Sequence, residues 1–437
     1  MAKPLKVDIV TLGCSKNLVD SERLLRMLQS VGLSVRHDPT PEQEEDSPAD
    51  VVVVNTCGFI NDAKEESINT ILGYAGRRTA GKLSALYVMG CLSQRYGKEL
   101  PTEIPEVDRW FGKTDWAGVV QEIASKHPAS VSYDRIITTP RHHAYLKISE
   151  GCNRFCAFCA IPLITGRYRS RRPEEIVDEV KMLVSRGVRE FNVIAQDLSA
   201  YGSDFSDGSG LADLVSWISD VKGVDWIRLH YAYPAGFPLD LLHVMSQREN
   251  VCNYLDIALQ HSSDKMLRAM RRNITRKETI DLLRTIRSEV PDIHLRTTLM
   301  TGFPGETEED FADLMSFVEQ QRFERMGAFA YSEEEDTFAA RTYRDNVPEE
   351  VKQERLDLLM KRQEEISLEI QERKVGSKLK VIIDREDPDY FIGRTQWDSP
   401  EVDPEVLVDK SPDIRVGEFT DVLVRSALPF ELIASKV

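Results

Sequence analysis

The sequence predicts an α/β protein with several domains: a doubly wound α/β domain at the amino terminus, a central (β/α) barrel, whole or partial, and a small all-β barrel at the carboxy terminus. The chain has 437 residues, enough for about two to four domains. Two stretches in which strand patterns alternate with helix patterns predict sheets of parallel strands covered by helices. A final stretch of short strands separated by Pro, Asp and Gly predicts the β-barrel.

The amino-terminal domain is predicted to span residues 1–125. Its strands are predicted in "KVDIVTLGC", "ADVVVVNTC" and "SALYVMGC", and the second is a continuous β-branched run, which is typical of a buried parallel strand. Helices are predicted in "DSERLLRMLQSVG" and "NDAKEESINTILGYAGRR". An acidic, Pro-containing stretch over 40–50 is predicted to be a loop, and residues 126–140 are predicted to be a linker.

The central domain is predicted over 141–374. It ends in a long charged helix over 348–374, and most of the charge of this helix is expected to face solvent. Active residues of such a domain belong at the carboxyl ends of its strands. The all-β barrel is predicted over 375–437 from "KLKVIIDRE", "YFIGRTQW", "EVLVDK" and "FTDVLVRSA". The central strands are predicted in "HAYLKISEGC", "REFNVIAQD", "WIRLHYAYP", "YLDIALQH", "HLRTTLMTGFP" and "RMGAFAYS", with helices such as "PEEIVDEVKMLVSRG" and "DKMLRAMRRN" between them.

Composition narrows the class of protein. The sequence has no run of 18 apolar residues and no signal-peptide pattern at its start, which predicts a cytoplasmic protein without a membrane partner. The net charge of −16 argues against binding mainly to nucleic-acid phosphates. A net negative charge favours association with a basic protein partner. It also simply keeps a protein in solution.

Three of the seven cysteines, Cys152, Cys156 and Cys159, lie within eight positions in "ISEGCNRFCAFCAIP". Clustered cysteines in a reducing compartment indicate metal ligands or catalytic thiols. Cysteine thiolates hold iron–sulfur clusters, and a four-iron cluster with only three protein ligands keeps one iron open for a substrate or cofactor. The alternative is a zinc site completed by His142 or His143, although that spacing fits no common zinc pattern.

Cys14, Cys57 and Cys91 each follow a predicted strand of the amino-terminal domain. The carboxyl ends of strands in an open α/β sheet share one rim, where ligands bind. The three thiols are therefore predicted to meet and hold a second metal centre, because cysteine clusters commonly mark metal sites. The alternative is three small buried apolar residues. Cys252 has no such partner and is predicted to be a buried thiol.

The C-x3-C-x2-C motif, with the aromatic Phe158 before its last cysteine, resembles the cluster motif of the radical S-adenosylmethionine superfamily. The resemblance implies that the open iron binds S-adenosylmethionine and that reduction yields a 5′-deoxyadenosyl radical. "LMTGFPGE" is similar to the segment that lies along the cofactor in that superfamily. It implies cofactor contacts at Gly302, Gly305 and Glu306, besides Phe158. By itself, this stretch is typical of a tight turn that opens a helix.

The whole layout resembles the methylthiotransferase family, which joins a three-cysteine domain, a radical S-adenosylmethionine domain and a small barrel called TRAM. The resemblance implies an enzyme with two [4Fe–4S] clusters that inserts a methylthio group at an unactivated carbon. The second cluster, on Cys14, Cys57 and Cys91, would carry the sulfur. One S-adenosylmethionine would methylate that sulfur and another would supply the radical. A sulfur donor and an electron donor are implied partners.

Five segments resemble the family branch that modifies the β-carbon of an aspartate in small-subunit ribosomal protein twelve, free or in the ribosome. Two alternatives stay open: a transfer-RNA adenosine methylthiotransferase, and a non-catalytic iron–sulfur protein that binds ribosomes. Residues 375–437 contain 13 Asp and Glu against 8 Lys and Arg, and an acidic barrel suits a basic protein better than RNA. The five segments are "LGCSKNLVDSE", "NTCGFINDAKEESI", "CAIPLITGRYRSR", "YLDIALQHSSDKMLRAMRR" and "FAYSEEEDT".

Three further features are ambiguous. Leu198 and Ser199 in "AQDLSAYGSD" depart from the hydroxyl-rich residues that the resemblance leads us to expect. Asp197 follows a strand and is a candidate acid–base or structural residue. The arginines of "GRYRSRR" would guide an acidic substrate or anionic cofactor groups, or form structural ion pairs in a solvated loop. These arginines are Arg167, Arg169, Arg171 and Arg172.

Overall fold

The structure is a computed structural model that describes residues 4–125 and 134–437. It confirms the predicted fold class. Part of the predicted linker, 126–133, lies outside the described residues. The chain forms two compact units. The first contains the described residues up to Thr138 together with Glu150–Asn153 and Ala160–Met182, and the second contains Thr139–Ser149, Arg154–Cys159 and Leu183–Val437.

The amino-terminal part is built on a parallel sheet with strand order β2-β1-β3-β4-β5. Alternate residues of β3 enter different apolar cores, since Val53 packs on one face and Val52 and Val54 on the other. This two-sided burial explains the uninterrupted Val run. The elements are β1 (Lys6–Thr11), α1 (Ser15–Ser30), β2 (Ser34–His37), α2 (Pro41–Asp46), β3 (Val51–Thr56), α3 (Asn61–Thr79), β4 (Ala85–Gly90), α4 (Cys91–Tyr96), α5 (Leu100–Glu103), β5 (Arg109–Trp110) and α6 (Trp116–Ala124).

The prediction of a loop over 40–50 is wrong, because the structure has the short helix α2 there. Its start is specified by a capping box: the Thr40 hydroxyl accepts from the Gln43 backbone N–H, and the Gln43 side chain accepts from the Thr40 N–H. Pro41 occupies the first helical position, where its missing N–H costs nothing. The start signal was therefore present in the sequence, but α2 has no buried residues and so shows no apolar periodicity.

The central part contains a parallel sheet with strand order β13-β12-β11-β10-β9-β6, which is the order of the strands along the chain. Consecutive neighbours of this kind form a partial (β/α) barrel. The elements are β6 (His143–Lys147), β7 (Ser149–Glu150), α7 (Ile161–Thr165), β8 (Arg169–Ser170), α8 (Pro173–Ser185), β9 (Glu190–Ile194), α9 (Leu211–Ser219), β10 (Trp226–Ala232), α10 (Asp240–Gln247), β11 (Val251–Ile257), α11 (Asp264–Ala269), α12 (Arg276–Glu289), β12 (His294–Thr301), α13 (Glu308–Gln321), β13 (Arg325–Ala330), α14 (Phe338–Thr342) and α15 (Glu349–Glu372).

Two charged side chains of helix α15, Lys352 and Arg355, are buried. Lys352 pairs with Asp345 at 2.6 Å, and Arg355 pairs with Glu306 at 2.6 Å. These two side chains are exceptions to the expectation that most of the helix's charge faces solvent. No helix among the described residues combines the length and apolar character needed to cross a membrane.

The carboxy-terminal part is a closed barrel with strand order β14-β15-β16-β18-β17. Its last strand was not predicted. Buried ion pairs join this barrel to the central sheet, because the carboxylate of Glu190 accepts from Arg228 at 3.2 Å and from Arg394 at 2.7 Å. The strands are β14 (Lys378–Glu386), β15 (Tyr390–Arg394), β16 (Glu405–Asp409), β17 (Phe419–Leu428) and β18 (Glu431–Lys436).

Candidate metal centres

The structure brings Cys14, Cys57 and Cys91 to one rim of the amino-terminal sheet. Cys14 lies between β1 and α1, Cys57 follows β3, and Cys91 begins α4 directly after β4. The strand order reverses between β1 and β3, and ligands bind at such a switch point, outside the carboxyl ends of the strands. Cys57 and Cys91 are each 8% exposed, whereas Cys14 is exposed.

Two glycines allow these cysteine loops to approach each other closely. Gly13 has φ +90°, and a Cβ there would lie 2.7 Å from Cys57 Cβ and 2.9 Å from its Sγ. A Cβ on Gly58 would lie 2.7 Å from the Leu92 backbone, in the first turn of the helix that Cys91 begins. Any larger residue at either position would push neighbouring loops apart. Close packing of the loops therefore explains why glycine occupies the positions next to Cys14 and Cys57.

Asn17 ties the three cysteine loops together. Its buried amide donates to the backbone carbonyls of Leu12 and Thr56, both at 3.0 Å. These carbonyls lie two residues before Cys14 and directly before Cys57. The Cys91 Sγ lies 3.7 Å from Asn17 Oδ1. One side chain therefore contacts all three cysteine loops. Sequence reasoning did not assign Asn17 a role, although it lies three residues after Cys14.

We predict that Asn17→Ala weakens iron retention by the amino-terminal cysteines about 10- to 100-fold, the usual loss when a group that orients metal ligands is removed. The measurement is iron release to a chelator, in a chain whose Cys152, Cys156 and Cys159 are alanine, so that only this site contributes. Asn250→Ala is the control, because Asn250 also donates to two backbone carbonyls but belongs to the second unit. Equal iron release by the two variants would contradict the assignment.

Burial favours the neutral thiol form of Cys57 and Cys91 in this site. Burial raises the pKa of Cys91 to about 12 and also raises the pKa of Cys57. Cys14 raises the pKa of both thiols further, and Cys57 also raises that of Cys91, whereas the ammonium of Lys113 lowers the pKa of Cys91. Lys113 is buried and stays charged because it pairs with Glu150 at 2.7 Å and with Asp20 at 3.5 Å. Thiolates in such a place need the positive charge of a metal.

A zinc site is not supported. Within residues 4–125 and 134–437, no three His, Cys, Asp or Glu side chains are arranged to hold a single metal ion. The irons of a cluster bind separate thiolates, so a larger inorganic centre accepts ligands that are farther apart. His142, one of the two histidines considered for zinc, instead bonds Asp384 through Nε2 at 2.8 Å. His143, the other candidate, is buried as the first residue of β6.

The second cysteine set lies in the loop that follows the first strands of the central domain. Cys152 belongs to the first unit, and its backbone N–H donates to Gly166 O at 3.2 Å. Cys156 and Cys159 belong to the second unit, where the loop is tethered through Ala157: its N–H donates to Met270 O at 2.9 Å, and its carbonyl accepts from the Ala339 N–H at 2.7 Å.

Phe158 is half-buried against an apolar core in the same unit. Packing against this core fixes the position of the loop next to Cys159. Its residues are Ala157, Met266, Met270, Met300, Phe303, Tyr331 and Ala339. A contact between Phe158 and the cofactor stays a prediction.

The segment that contains Gly302, Gly305 and Glu306 follows β12. Glu306 is buried, and its carboxylate accepts from the Gly302 N–H at 2.7 Å, from Arg355 at 2.6 Å and from His261 Nε2 at 3.0 Å. His261 Nδ1 accepts from two backbone N–H groups, so Nε2 carries the proton. Glu306 therefore holds this turn in shape, and a direct cofactor contact by it stays a prediction.

Gly302 and Gly305 both have positive φ, +72° and +84°. A Cβ on Gly302 would lie 2.2 Å from Lys352 Cγ, so helix α15 requires glycine there. A Cβ on Gly305 would meet nothing within 4 Å. Gly305 is therefore glycine for its backbone conformation alone, and contacts of both residues with the cofactor stay predictions.

Cys156 has a polar environment that the sequence did not reveal. Arg272 Nη1 lies 3.2 Å from its Sγ, and the Tyr233 hydroxyl lies 4.0 Å away. Arg154 stacks on the Tyr233 ring at 4.2 Å and pairs with Asp197 at 2.5 Å. Burial raises the pKa of Asp197, and Arg154 opposes that shift. Asp197 thus has a structural partner.

Arg171 and Arg172, two of the four arginines beside the cysteine loop, form ion pairs. Arg171 pairs with the buried Glu179 at 2.7 Å and Arg172 with Glu174 at 3.7 Å, and Arg167, Arg169 and Arg172 are exposed. Burial alone raises the pKa of Glu179, but Arg171 and two further arginines bring it down to about 2. The alternative of structural ion pairs therefore holds for Arg171.

Three family models match the chain. The Radical SAM superfamily matches residues 146–318, the uncharacterized protein family UPF0004 matches 6–112, and the TRAM domain matches 375–437. These matches place the two cysteine sets in two different family domains.

Curated relatives match almost the whole chain. A ribosomal protein uS12 methylthiotransferase RimO from Parabacteroides distasonis is 56% identical over 98% of this chain and 98% of its own length. The chain belongs to the RimO family. The RimO proteins of Bacteroides thetaiotaomicron and Cytophaga hutchinsonii are 56% and 49% identical, each over 99% of this chain and 98% of their own length. The family membership that the motifs predicted is thereby confirmed.

Solved structures show the same fold at low identity. The cobalamin-dependent S-adenosylmethionine radical enzyme OxsB matches with a TM-score of 0.54 at 13% identity, over 83% of this chain and 56% of its own length. The radical S-adenosylmethionine methyltransferase TsrM from Kitasatospora setae matches with a TM-score of 0.55 at 13% identity, over 75% of each chain. RimO proteins therefore share a fold with enzymes of different chemistry, and fold alone does not give the reaction.

Proposed function

We propose that this chain is a radical S-adenosylmethionine methylthiotransferase that adds a methylthio group to the β-carbon of an aspartate of ribosomal protein uS12. The observation that carries the proposal is the convergence of Cys14, Cys57 and Cys91 at one rim, in a chain with a separate radical S-adenosylmethionine motif. Radical formation needs one iron–sulfur centre. A second site with three thiols is expected when the enzyme must also deliver sulfur to its substrate.

The cofactors are S-adenosylmethionine and [4Fe–4S] clusters. Cys152, Cys156 and Cys159 would hold the cluster that binds S-adenosylmethionine, and Cys14, Cys57 and Cys91 would hold the other. When bound, these groups supply the radical and the sulfur, chemistry that side-chain acids and bases cannot provide.

The residues around the two sites orient the ligands. In the amino-terminal site, Asn17 aligns the loops and Lys113 supplies a buried positive charge near Cys91. In the other site, the apolar core under Phe158 fixes the cysteine loop, while Glu306 holds the turn after β12. Cofactor contacts by Phe158, Gly302 and Gly305 are part of this proposal.

The substrate class follows from the relatives, which are named for ribosomal protein uS12. The carboxy-terminal barrel supports a basic protein partner, because its residues 375–437 are net acidic and an acidic face attracts a basic one. The reaction consumes electrons and sulfur, so we propose that an electron donor and a sulfur donor act with the enzyme. The site of action is the cytoplasm, where ribosomes assemble.

The proposal predicts that reconstituted protein with S-adenosylmethionine, a reductant and uS12 adds one methylthio group to uS12, seen by mass spectrometry of the intact protein and its peptides. A uS12 variant without the target aspartate is the control and should gain no mass. Transfer of methylthio to adenosine in transfer RNA instead would favour the transfer-RNA branch. Loaded protein that cleaves no S-adenosylmethionine after reduction would favour a non-catalytic ribosome-binding protein.

A further inference from the structure

Arg272 places a guanidinium directly against a predicted cluster ligand. Its Nη1 lies 3.2 Å from Cys156 Sγ, within hydrogen-bond distance for sulfur. The side chain is only 3% exposed, so water does not screen the interaction. Arg272 follows α11 in "MRRN" and lies 116 positions from Cys156 along the chain.

Two contacts fix the guanidinium in this orientation, and a third fixes the Arg272 backbone. Its Nη2 donates to the backbone carbonyl of Ala258. Its plane lies over the Tyr233 ring, 4.1 Å from the ring centroid, and the Tyr233 hydroxyl donates back to Arg272 O at 2.7 Å. Tyr233 is itself held by Ser199, whose hydroxyl accepts from the Tyr233 N–H at 2.9 Å. Such preorganisation makes a single charge effective.

Arg272 has no carboxylate partner among the described residues, and its buried Nε has no hydrogen-bond partner there. Arg154, on the same aromatic ring, differs because it pairs with Asp197. A buried, unpaired cation is costly. The Asp197 carboxylate interacts with Arg272 electrostatically, but its ion pair is with Arg154. The Cys156 sulfur is within hydrogen-bond distance of the guanidinium and becomes a thiolate when it ligates metal. The ligand thiolate is therefore the charge partner of Arg272.

We infer that Arg272 is a positioning residue that compensates the charge of the Cys156 thiolate and raises the reduction potential of the cluster held by Cys152, Cys156 and Cys159. Reduction adds one electron from an external reductant and makes the cluster more negative. A fixed positive charge stabilises the reduced form more than the oxidised form, and hydrogen bonds to cluster sulfurs are known determinants of the potential. The inference rests on the cofactors assigned under the proposed function.

The test is an anaerobic redox titration of the loaded enzyme, following the electron paramagnetic resonance signal that responds to S-adenosylmethionine. Arg272→Gln is expected to lower the reduced-to-oxidised ratio at a fixed potential about tenfold, which corresponds to about 59 mV for one electron. Arg272→Lys keeps the charge but loses the two-pronged contact, so a smaller shift is expected. Iron and sulfide content should stay at the wild-type level in both variants.

Arg268→Gln is the matched control, because it removes an exposed positive charge from α11 and should leave the potential unchanged. A fully loaded Arg272→Gln protein with the wild-type potential would overturn the inference. If that variant holds no cluster, Arg272→Lys decides: a shifted potential supports the inference, and an unchanged potential refutes it. Wild-type protein without any signal responsive to S-adenosylmethionine would refute the proposed function instead.

Discussion

Replacing Cys156 with alanine is expected to abolish cleavage of S-adenosylmethionine, whereas replacing Cys57 with alanine should spare cleavage and remove the methylthio product. The reason is the division of the cysteines between two sites. Cys156 lies in the radical S-adenosylmethionine motif, and Cys57 lies at the rim of the amino-terminal sheet. The measurement is 5′-deoxyadenosine release alongside methylthio transfer to uS12. Both losses should reach the background of protein without iron.

Iron analysis provides the control for this pair. Wild-type protein should hold about eight irons per chain, and the Cys152, Cys156 and Cys159 triple alanine variant about four, as two four-iron clusters require. Cys252→Ala should lose no iron, since Cys252 is 1% exposed within an apolar core, as the sequence predicted for a buried thiol. Equal loss of both activities in Cys57→Ala, with the fold and the other cluster intact, would contradict the division.

Replacing Glu190 with glutamine is expected to lower the free energy of unfolding by about 3–5 kcal/mol, the cost of leaving buried charges without their partner. Glu190 is fully buried and binds Arg228 and Arg394, which connects β9 with β10 and with β15 of the barrel. The neutral amide would leave both guanidinium groups short of an anion. The measurement is urea unfolding, following the transition that includes the barrel.

Arg385→Gln is the control, because the Arg385–Glu405 pair of the same barrel is solvent-exposed and is expected to contribute about 0–1 kcal/mol. Equal destabilisation by the two variants would show that burial of the Glu190 pairs adds nothing.

The stabilisation by Glu190 should also depend on pH. Burial by itself raises the pKa of Glu190, but Arg394 and Arg228 hold it well below the ordinary value. The stability that this charge contributes is therefore fully present above the pKa of the unfolded chain, about 4.3, and is lost as the pH falls further. The difference in unfolding free energy between wild type and Glu190→Gln should shrink below that pH. A difference that stays constant down to pH 3 would contradict this linkage.

The fold class and the positions of the cysteines could be predicted because both are local properties of the sequence. The uninterrupted Val run of β3 indicates a buried parallel strand. Cys57 and Cys91 directly follow their strands, and Cys14 lies three residues after the end of β1. Strand ends meet at one rim in any parallel sheet, so the meeting of the three loops followed without coordinates. The short elements α2 and β2 were missed because neither contains a buried residue that would give a periodic pattern. Strand β18 was missed although Leu432 and Ala434 alternate into the barrel core.

The groups around the cysteines were decided only by the tertiary structure. Arg272 is 116 positions from Cys156, and Arg394 is 204 positions from Glu190. An arginine in "MRRN" has the same local pattern whether it faces solvent or a buried thiol. Whether Arg272 faces solvent or the thiol depends on how α11 and β10 pack beside the cysteine loop. The sequence by itself predicted which thiols are candidate metal ligands. Only the fold decided which charges surround them, because a hydrogen bond between residues far apart in the chain depends on how their elements pack.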